Sequence, residues 1–239
     1  MTELHRTTLD IAMPDGTADA YLSKPTAGAQ AGVLVFMDAI GLRPRMEAMA
    51  DRIAEQGYAV LVPNLFYRAG RAPVVPNIVE RLQGEERGKV FEELWPHMTA
   101  LTPEVAARDT AAYVDELDQH TGGGLAMRAA AQLPDRVVAV ASFHGGRLAP
   151  DDGTGPVTLV DQIRAELYFG HADNDGSMPA EQIARLEAAL DAAGVRYTSE
   201  VYAGATHGFT MSDMPVHDEQ AEQRHWDALL GLLERTLPD

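Results

Sequence analysis

Residues 32–63 read GVLVFMDAIGLRPRMEAMADRIAEQGYAVLVP, and the order of patterns within them decides the fold. The first six form an uninterrupted apolar run, the composition of a strand covered on both faces. A polar, glycine-containing loop follows at Asp38-Ala39-Ile40-Gly41-Leu42. Met46, Met49, Ile53 and Ala54 then recur at helical spacing, and Gly57 marks the helix end before a second apolar run over residues 58–63. Strand, helix and strand in so short a span make a βαβ unit, whose strands run parallel.

Working outward, residues 7–23 alternate around the turn Pro14-Asp15-Gly16 and stop at Lys24-Pro25, an antiparallel strand pair that opens the chain. Residues 64–103 hold four prolines and scattered helical patches, so they read as an excursion covering the strand C-terminal ends. A helix is expected over 104–119 and another over 125–133, with no strand between them. Strands follow at 137–143, 165–170 and 197–202, with helices at 179–193 and 219–237. The whole is an α/β chain with a doubly wound, mostly parallel sheet and an antiparallel N-terminal pair. There is no internal repeat or linker, and residues 1–239 read as one domain. In such sheets ligands bind outside the carboxyl ends of the strands, so functional side chains belong in the loops after strands.

Composition narrows the function. With 46% hydrophobic and 23% charged residues the chain can bury a sizeable core, and its formal charge of −17 would repel nucleic acid, where cations on phosphate dominate binding. The absence of cysteine excludes disulfides, thiolate metal sites and a cysteine nucleophile in these 239 residues. No apolar run is long enough for a membrane helix, and the N-terminus lacks the basic-then-apolar order of a signal peptide, so the expected setting is the cytoplasm. No dinucleotide fingerprint, phosphate loop or His-Glu-x-x-His is present, and no cofactor or metal is expected.

Three post-strand loops carry polar groups that could do chemistry: Asp38; Asp173 with Asp175; and His207. His207 stands in Gly204-Ala205-Thr206-His207-Gly208-Phe209, where the glycines permit a tight turn around an accessible imidazole, a group that can serve as general base near neutral pH. Asp173, in Gly170-His171-Ala172-Asp173, sits where a carboxylate can be aimed at that imidazole to fix its tautomer, while Asp175 is the other carboxylate of the same loop. Either can instead cap a helix or make an Asx turn. Acid followed by base, late in an α/β chain, is the order found in α/β-hydrolases.

On segments 33–43, 58–67, 122–143, 167–179 and 202–209, most of the chain, the sequence resembles the dienelactone hydrolase family. The resemblance implies an α/β-hydrolase fold and hydrolysis of an ester or lactone through a nucleophile-His-Asp triad, with His207 as base and Asp173 as acid. It places Asp38 where the family has a carboxylate that partners the nucleophile, one methylene shorter here, and makes the Ala39 N–H an oxyanion donor. Arg43, Tyr67 and His144 stand as candidate substrate contacts. Family members that accept dienelactone carry an Arg shortly after the catalytic His; here Thr210-Met211-Ser212-Asp213 follows, while Arg43, Arg68 and Arg71 could substitute from the covering loops or be solvated. The expected partner is a small-molecule ester or lactone, and the expected state a monomer or small homo-oligomer.

The family's nucleophile elbow, Gly-x-Cys-x-Gly-Gly or its serine equivalent, should follow a buried strand and precede the helix beginning at Leu125. Its place is taken by Val114-Asp115-Glu116-Leu117-Asp118-Gln119-His120-Thr121, the end of the preceding helix, so about ten residues carrying the central strand and nucleophile are missing. Three readings stand. The molecule can carry residues beyond these 239. Thr121 of Thr121-Gly122-Gly123-Gly124 can serve as nucleophile without its strand. Or the deletion is real and leaves a catalytically silent small-molecule-binding relative. Ser142 follows a strand and precedes two glycines, but Val140 occupies the position of the elbow's first glycine and no helix begins after it, so it reads as a strand-end residue. A thioesterase or peptidase on the same fold is the remaining alternative.

Overall fold

In the computed structural model the opening alternation becomes a hairpin: β1 (Leu4–Met13) pairs antiparallel with β2 (Gly16–Pro25), with Met13 opposite Gly16. Residues 2–29, 31–118 and 127–237 are described, and they fall into two compact units, Met1–Gly124 and Leu125–Asp239. Each is taken by itself.

In the first unit β3 (Gly32–Leu34), α1 (Pro44–Ala54) and β4 (Ala59–Pro63) form the expected βαβ, with β3 and β4 parallel. β3 is shorter than its apolar run, although the Val35 N–H still donates to the Leu61 carbonyl at 2.9 Å. The sheet order is β1-β2-β4-β3. Every residue of β4 is buried, and α1 lays Met46, Met49, Ala50, Ile53 and Ala54 against β2 and β4. Burying one such Met or Ile contributes roughly 1.5–3 kcal/mol. The chain leaves α1 through Gly57, whose φ of 106° suits glycine far better than any other residue. The excursion contains α2 (Ile78–Gln83) and α3 (Arg87–Ala100), and α4 (Pro103–Asp118) returns to pack on β1, β3 and β4.

The second unit begins its described part with α5 (Met127–Gln132) and holds a parallel sheet, β5 (Ala139–Phe143), β6 (Glu166–Asn174) and β7 (Tyr197–Thr206), in that order. Helix α6 (Ala180–Ala193) links β6 to β7, ending at Gly194 in the left-handed region. Helix α7 (Glu219–Thr236) starts where the Asp218 side chain accepts the Ala221 N–H, and packs on β5 and β6. Both β6 and β7 run four residues past their expected ends, which moves the loops after them. Residues 119–126, including Thr121 and the three glycines after it, lie outside the described residues.

Candidate active site

The second unit brings a carboxylate and an imidazole together because β6 and β7 are parallel neighbours that finish side by side. Their register pairs Ala172 with Tyr202 and, after an irregularity, Asn174 with Thr206. The next residue on each strand is therefore Asp175 and His207. His207 Nδ1 lies 2.7 Å from Asp175 Oδ2. The other carboxylate oxygen is held by its own turn: the Ser177 N–H donates to Oδ1 at 2.8 Å and the Ser177 hydroxyl at 2.6 Å. The Asp175 side chain is 2% exposed and that of His207 51%. Burial pushes the Asp175 carboxyl up, but the hydrogen bonds from Ser177 and His207 outweigh it and hold the group below the usual carboxylate range. An ionised carboxylate only accepts, so it selects the imidazole tautomer with hydrogen on Nδ1 and leaves Nε2 basic.

The carboxylate against His207 is thus Asp175, where the sequence pointed to Asp173. Gly170 was expected to end the strand, but β6 passes through it. A Cβ there would stand 2.7 Å from the Phe143 ring and 2.9 Å from that of Tyr202, so this glycine serves close packing within the sheet. Asp173 consequently lies in the strand, exposed, and its Oδ2 accepts the Gly204 N–H at 2.9 Å. Ser177 was not singled out from the sequence; the signal available was the Asp-Gly-Ser order, which favours an Asx turn.

The base loop is anchored by the apolar residue beside it. Phe209 is fully buried, stacks on Tyr202 with ring centroids 5.0 Å apart, and packs with Ala172, Ala205 and Ala221. Its N–H donates to the Thr206 carbonyl at 3.0 Å, and Gly208 takes a φ of 91° to close the turn. His144, just after β5, lies edge-on to His207 with ring centroids 5.0 Å apart. Ser142 is in β5 opposite Phe169, as a strand residue.

In the first unit Asp38 follows β3 as expected, and its carboxylate is engaged within its own loop. It accepts from the Ile40 N–H at 3.0 Å and from Arg43 Nη1 and Nη2 at 2.7 and 3.0 Å. The Arg43 side chain is 2% exposed and also donates to the Gly41 carbonyl, so it clasps the loop from inside and is not presented to a ligand. Ala39 stands within this clasped turn. Tyr67 is buried, with the Arg68 guanidinium 4.3 Å over its ring. Arg68 pairs with buried Asp109 and with Asp15, and Arg71 with Asp10, so the covering-loop cations are used in ion pairs. Among the described residues no group of His, Cys, Asp and Glu could hold a metal ion, and no helix is long and apolar enough to cross a membrane.

Comparison with known proteins identifies the family. The model of the dienelactone hydrolase family matches residues 18–237, which run through both units. A candidate carboxymethylenebutenolidase of Synechocystis sp. is 27% identical over 233 residues, covering 91% of each chain. The crystal structure of a candidate dienelactone hydrolase from Klebsiella pneumoniae superposes with a TM-score of 0.79 at 19% identity, covering 97% of this chain and 99% of that one. A dienelactone hydrolase-like promiscuous phosphotriesterase from metagenomic libraries gives a TM-score of 0.69 at 20% identity, covering 98% of each chain.

Proposed function

We propose that this chain, which belongs to the dienelactone hydrolase family and is a hydrolase of the ester or lactone type, works by acyl transfer with His207 as base and Asp175 as its orienting acid. The 2.7 Å contact between His207 Nδ1 and the buried Asp175 carboxylate carries the reading. In the first half-reaction a side-chain nucleophile attacks the carbonyl carbon as its proton passes to His207 Nε2; the ester C–O bond then breaks and the proton returns to the leaving oxygen. In the second, water attacks the acyl carbon as its proton passes to His207 Nε2; the bond between acyl carbon and nucleophile then breaks, the proton returns to the nucleophile, and the acid is released. Asp175 stabilises the imidazolium in both halves. The substrate is a small molecule, the setting the cytoplasm, and the protein a monomer or small homo-oligomer.

The nucleophile belongs to a strand that these 239 residues do not contain. Two features support this. By sequence, residues 114–121 read as the end of a helix where the family's elbow strand belongs, and in the second unit, among the described residues, β5 has a strand partner on one side only. Such an edge exposes backbone groups that a further strand would pair. The test is hydrolysis of p-nitrophenyl acetate by wild type and His207→Ala, with the intact mass measured alongside. Turnover lost in the variant, in a protein about one kilodalton heavier than 25.8 kDa, supports the proposal at typical strand and turn length. Equal, negligible rates at a mass of 25.8 kDa would favour a silent binding relative.

A further inference from the structure

The loop after β5, His144-Gly145-Gly146-Arg147, joins the acid and the base, and its sequence is unusual for its backbone. His144 has a φ of 42°, in the left-handed region where a non-glycine residue is uncommon. Glycine would adopt it freely, and glycine occupies the next two positions for a different reason. A Cβ on Gly145 would come within 2.3 Å of Ser142 Oγ, and one on Gly146 within 2.4 Å of Ser177 Oγ. Those glycines let the loop pack closely. Two positions of the loop ask for glycine by conformation, His144 and Arg147 with its φ of 54°; the first keeps an imidazole beside His207, and a backbone outlier of this kind directs attention to what the side chain does.

That side chain is held at both ends of its reach. The His144 N–H donates to the Gly170 carbonyl at 2.8 Å, which ties the residue to β6. Its Nε2 hydrogen-bonds with Thr210 Oγ1 at 2.9 Å, three residues beyond His207 on the same turn. The ring meets that of His207 edge-on at 5.0 Å and that of Phe209 at 5.4 Å. At the loop's other end the Arg147 N–H donates to the Ser177 carbonyl at 2.8 Å, and Ser177 is the residue whose hydroxyl and amide hold Asp175. The loop therefore meets His207 through His144, and through Gly146 and Arg147 it meets Ser177, which holds Asp175.

From this geometry we infer that His144 is a positioning residue that fixes the ring plane of His207 against Asp175, with Thr210 as its anchor. The inference rests on the acid–base reading of His207. Asp175 makes one hydrogen bond to the imidazole, and a single bond leaves the ring free to rock about it. An edge contact from the side, tied to the base's own turn, removes that freedom. A catalytic group displaced by a fraction of an ångström loses rate with little change in substrate binding.

The test uses the full chain and reads the ring directly, through the downfield proton resonance of His207 Nδ1–H in its bond to Asp175, assigned by its loss in His207→Gln. In His144→Ala the resonance should broaden and its solvent exchange quicken by about tenfold, with kcat on p-nitrophenyl acetate down about tenfold and KM within about twofold. Thr210→Val, nearly isosteric and lacking the hydroxyl, should produce the same changes at about a third of the size, which keeps the inference testable should His144→Ala fail to fold. His144→Asn, whose side chain tolerates a positive φ and can reach toward Thr210, separates backbone from ring: it should keep the fold and still broaden the resonance. A resonance as sharp as wild type in His144→Ala, or a loss of thermal stability with kcat unchanged, overturns the inference. A resonance that responds as expected in a protein with no ester turnover upholds it and counts against the hydrolase mechanism instead.

Discussion

Replacing Asp175 by Asn is expected to cost about 10⁴ in kcat, whereas Asp173→Asn leaves it close to wild type. Asp175 is buried and receives three hydrogen bonds, from the Ser177 amide, the Ser177 hydroxyl and His207 Nδ1. An amide in its place must satisfy the same donors. With its oxygen on the Ser177 pair it turns its NH₂ toward His207, which forces Nδ1 to accept and moves the ring hydrogen to Nε2. The nitrogen that must take the nucleophile's proton then already carries one. The wrong tautomer in an otherwise intact triad lowers kcat by about 10⁴, equivalent to about 5.4 kcal/mol of transition-state stabilisation. Asp173 accepts only the Gly204 N–H, from an exposed position. Its amide variant should cost about 1 kcal/mol of stability and little else. Initial rates on p-nitrophenyl acetate, with kcat and KM separated and folding checked by circular dichroism, decide the matter. A collapse of kcat in Asp173→Asn, with Asp175→Asn retaining a tenth or more of the wild-type rate, would refute the assignment.

Three further outcomes follow from particular contacts. Arg43→Ala leaves the Asp38 carboxylate without its buried counter-ion and should lower unfolding stability by about 3 kcal/mol, seen as a lower urea midpoint at unchanged slope. Burial holds His171 below its ordinary value of 6.5, so between the folded value and 6.5 the unfolded chain binds more protons. Stability should therefore rise with pH through that window, by at most about 1.4 kcal/mol per pH unit, and level off above it; His171→Gln should flatten the slope of urea midpoint against pH. Gly146→Ala places a methyl 2.4 Å from Ser177 Oγ and should cost about 1–3 kcal/mol while pulling the hydroxyl off Asp175. Adding Ser177→Gly should recover at least about 0.5 kcal/mol of that stability, a coupling read from the double-mutant cycle.

The frame of the molecule was legible because it rests on periodicity. The apolar runs before Asp38 and after Gly57 and the helical recurrence of Met46, Met49 and Ile53 report burial directly, and the structure places these helix residues in the core. The turn that presents His207 was legible because glycines stand on both sides of it. The carboxylate that meets His207 lies two residues beyond the one the sequence pointed to, because Gly170 has two physical uses: a glycine can end a strand or make room for neighbouring rings, and letters alone do not distinguish them. His171, the residue after that glycine, belongs to the strand. In the fold it is buried, stacked on Phe169 and bonded to Ser199 Oγ at 3.2 Å. Arg43 misled in the same way. A cation in a loop reads as solvated or substrate-facing, whereas here the Asp38 carboxylate five residues earlier accepts from both terminal nitrogens of a buried side chain.

The acid–base pair also determines where any nucleophile has to stand. Nδ1 of His207 is spent on Asp175, so a hydroxyl or thiol can lose its proton only to Nε2, at about 3 Å. Ser177, whose Oγ lies 3.5 Å from Nδ1 and bonds to Asp175, is on the wrong side of the ring and serves the carboxylate. Without a group at Nε2, the same pair could still draw a proton from water and hydrolyse an activated ester directly, slowly and with no covalent intermediate. The two chemistries differ in their first milliseconds. Acyl transfer releases a burst of p-nitrophenol stoichiometric with enzyme whenever deacylation is the slower half, whereas direct attack by water gives a linear trace from the start. Burst-free turnover that nevertheless vanishes in both His207→Ala and Asp175→Asn would show that the pair acts as a general base without a nucleophile. A stoichiometric burst would require an acylated side chain, either Thr121 or one on residues beyond these 239.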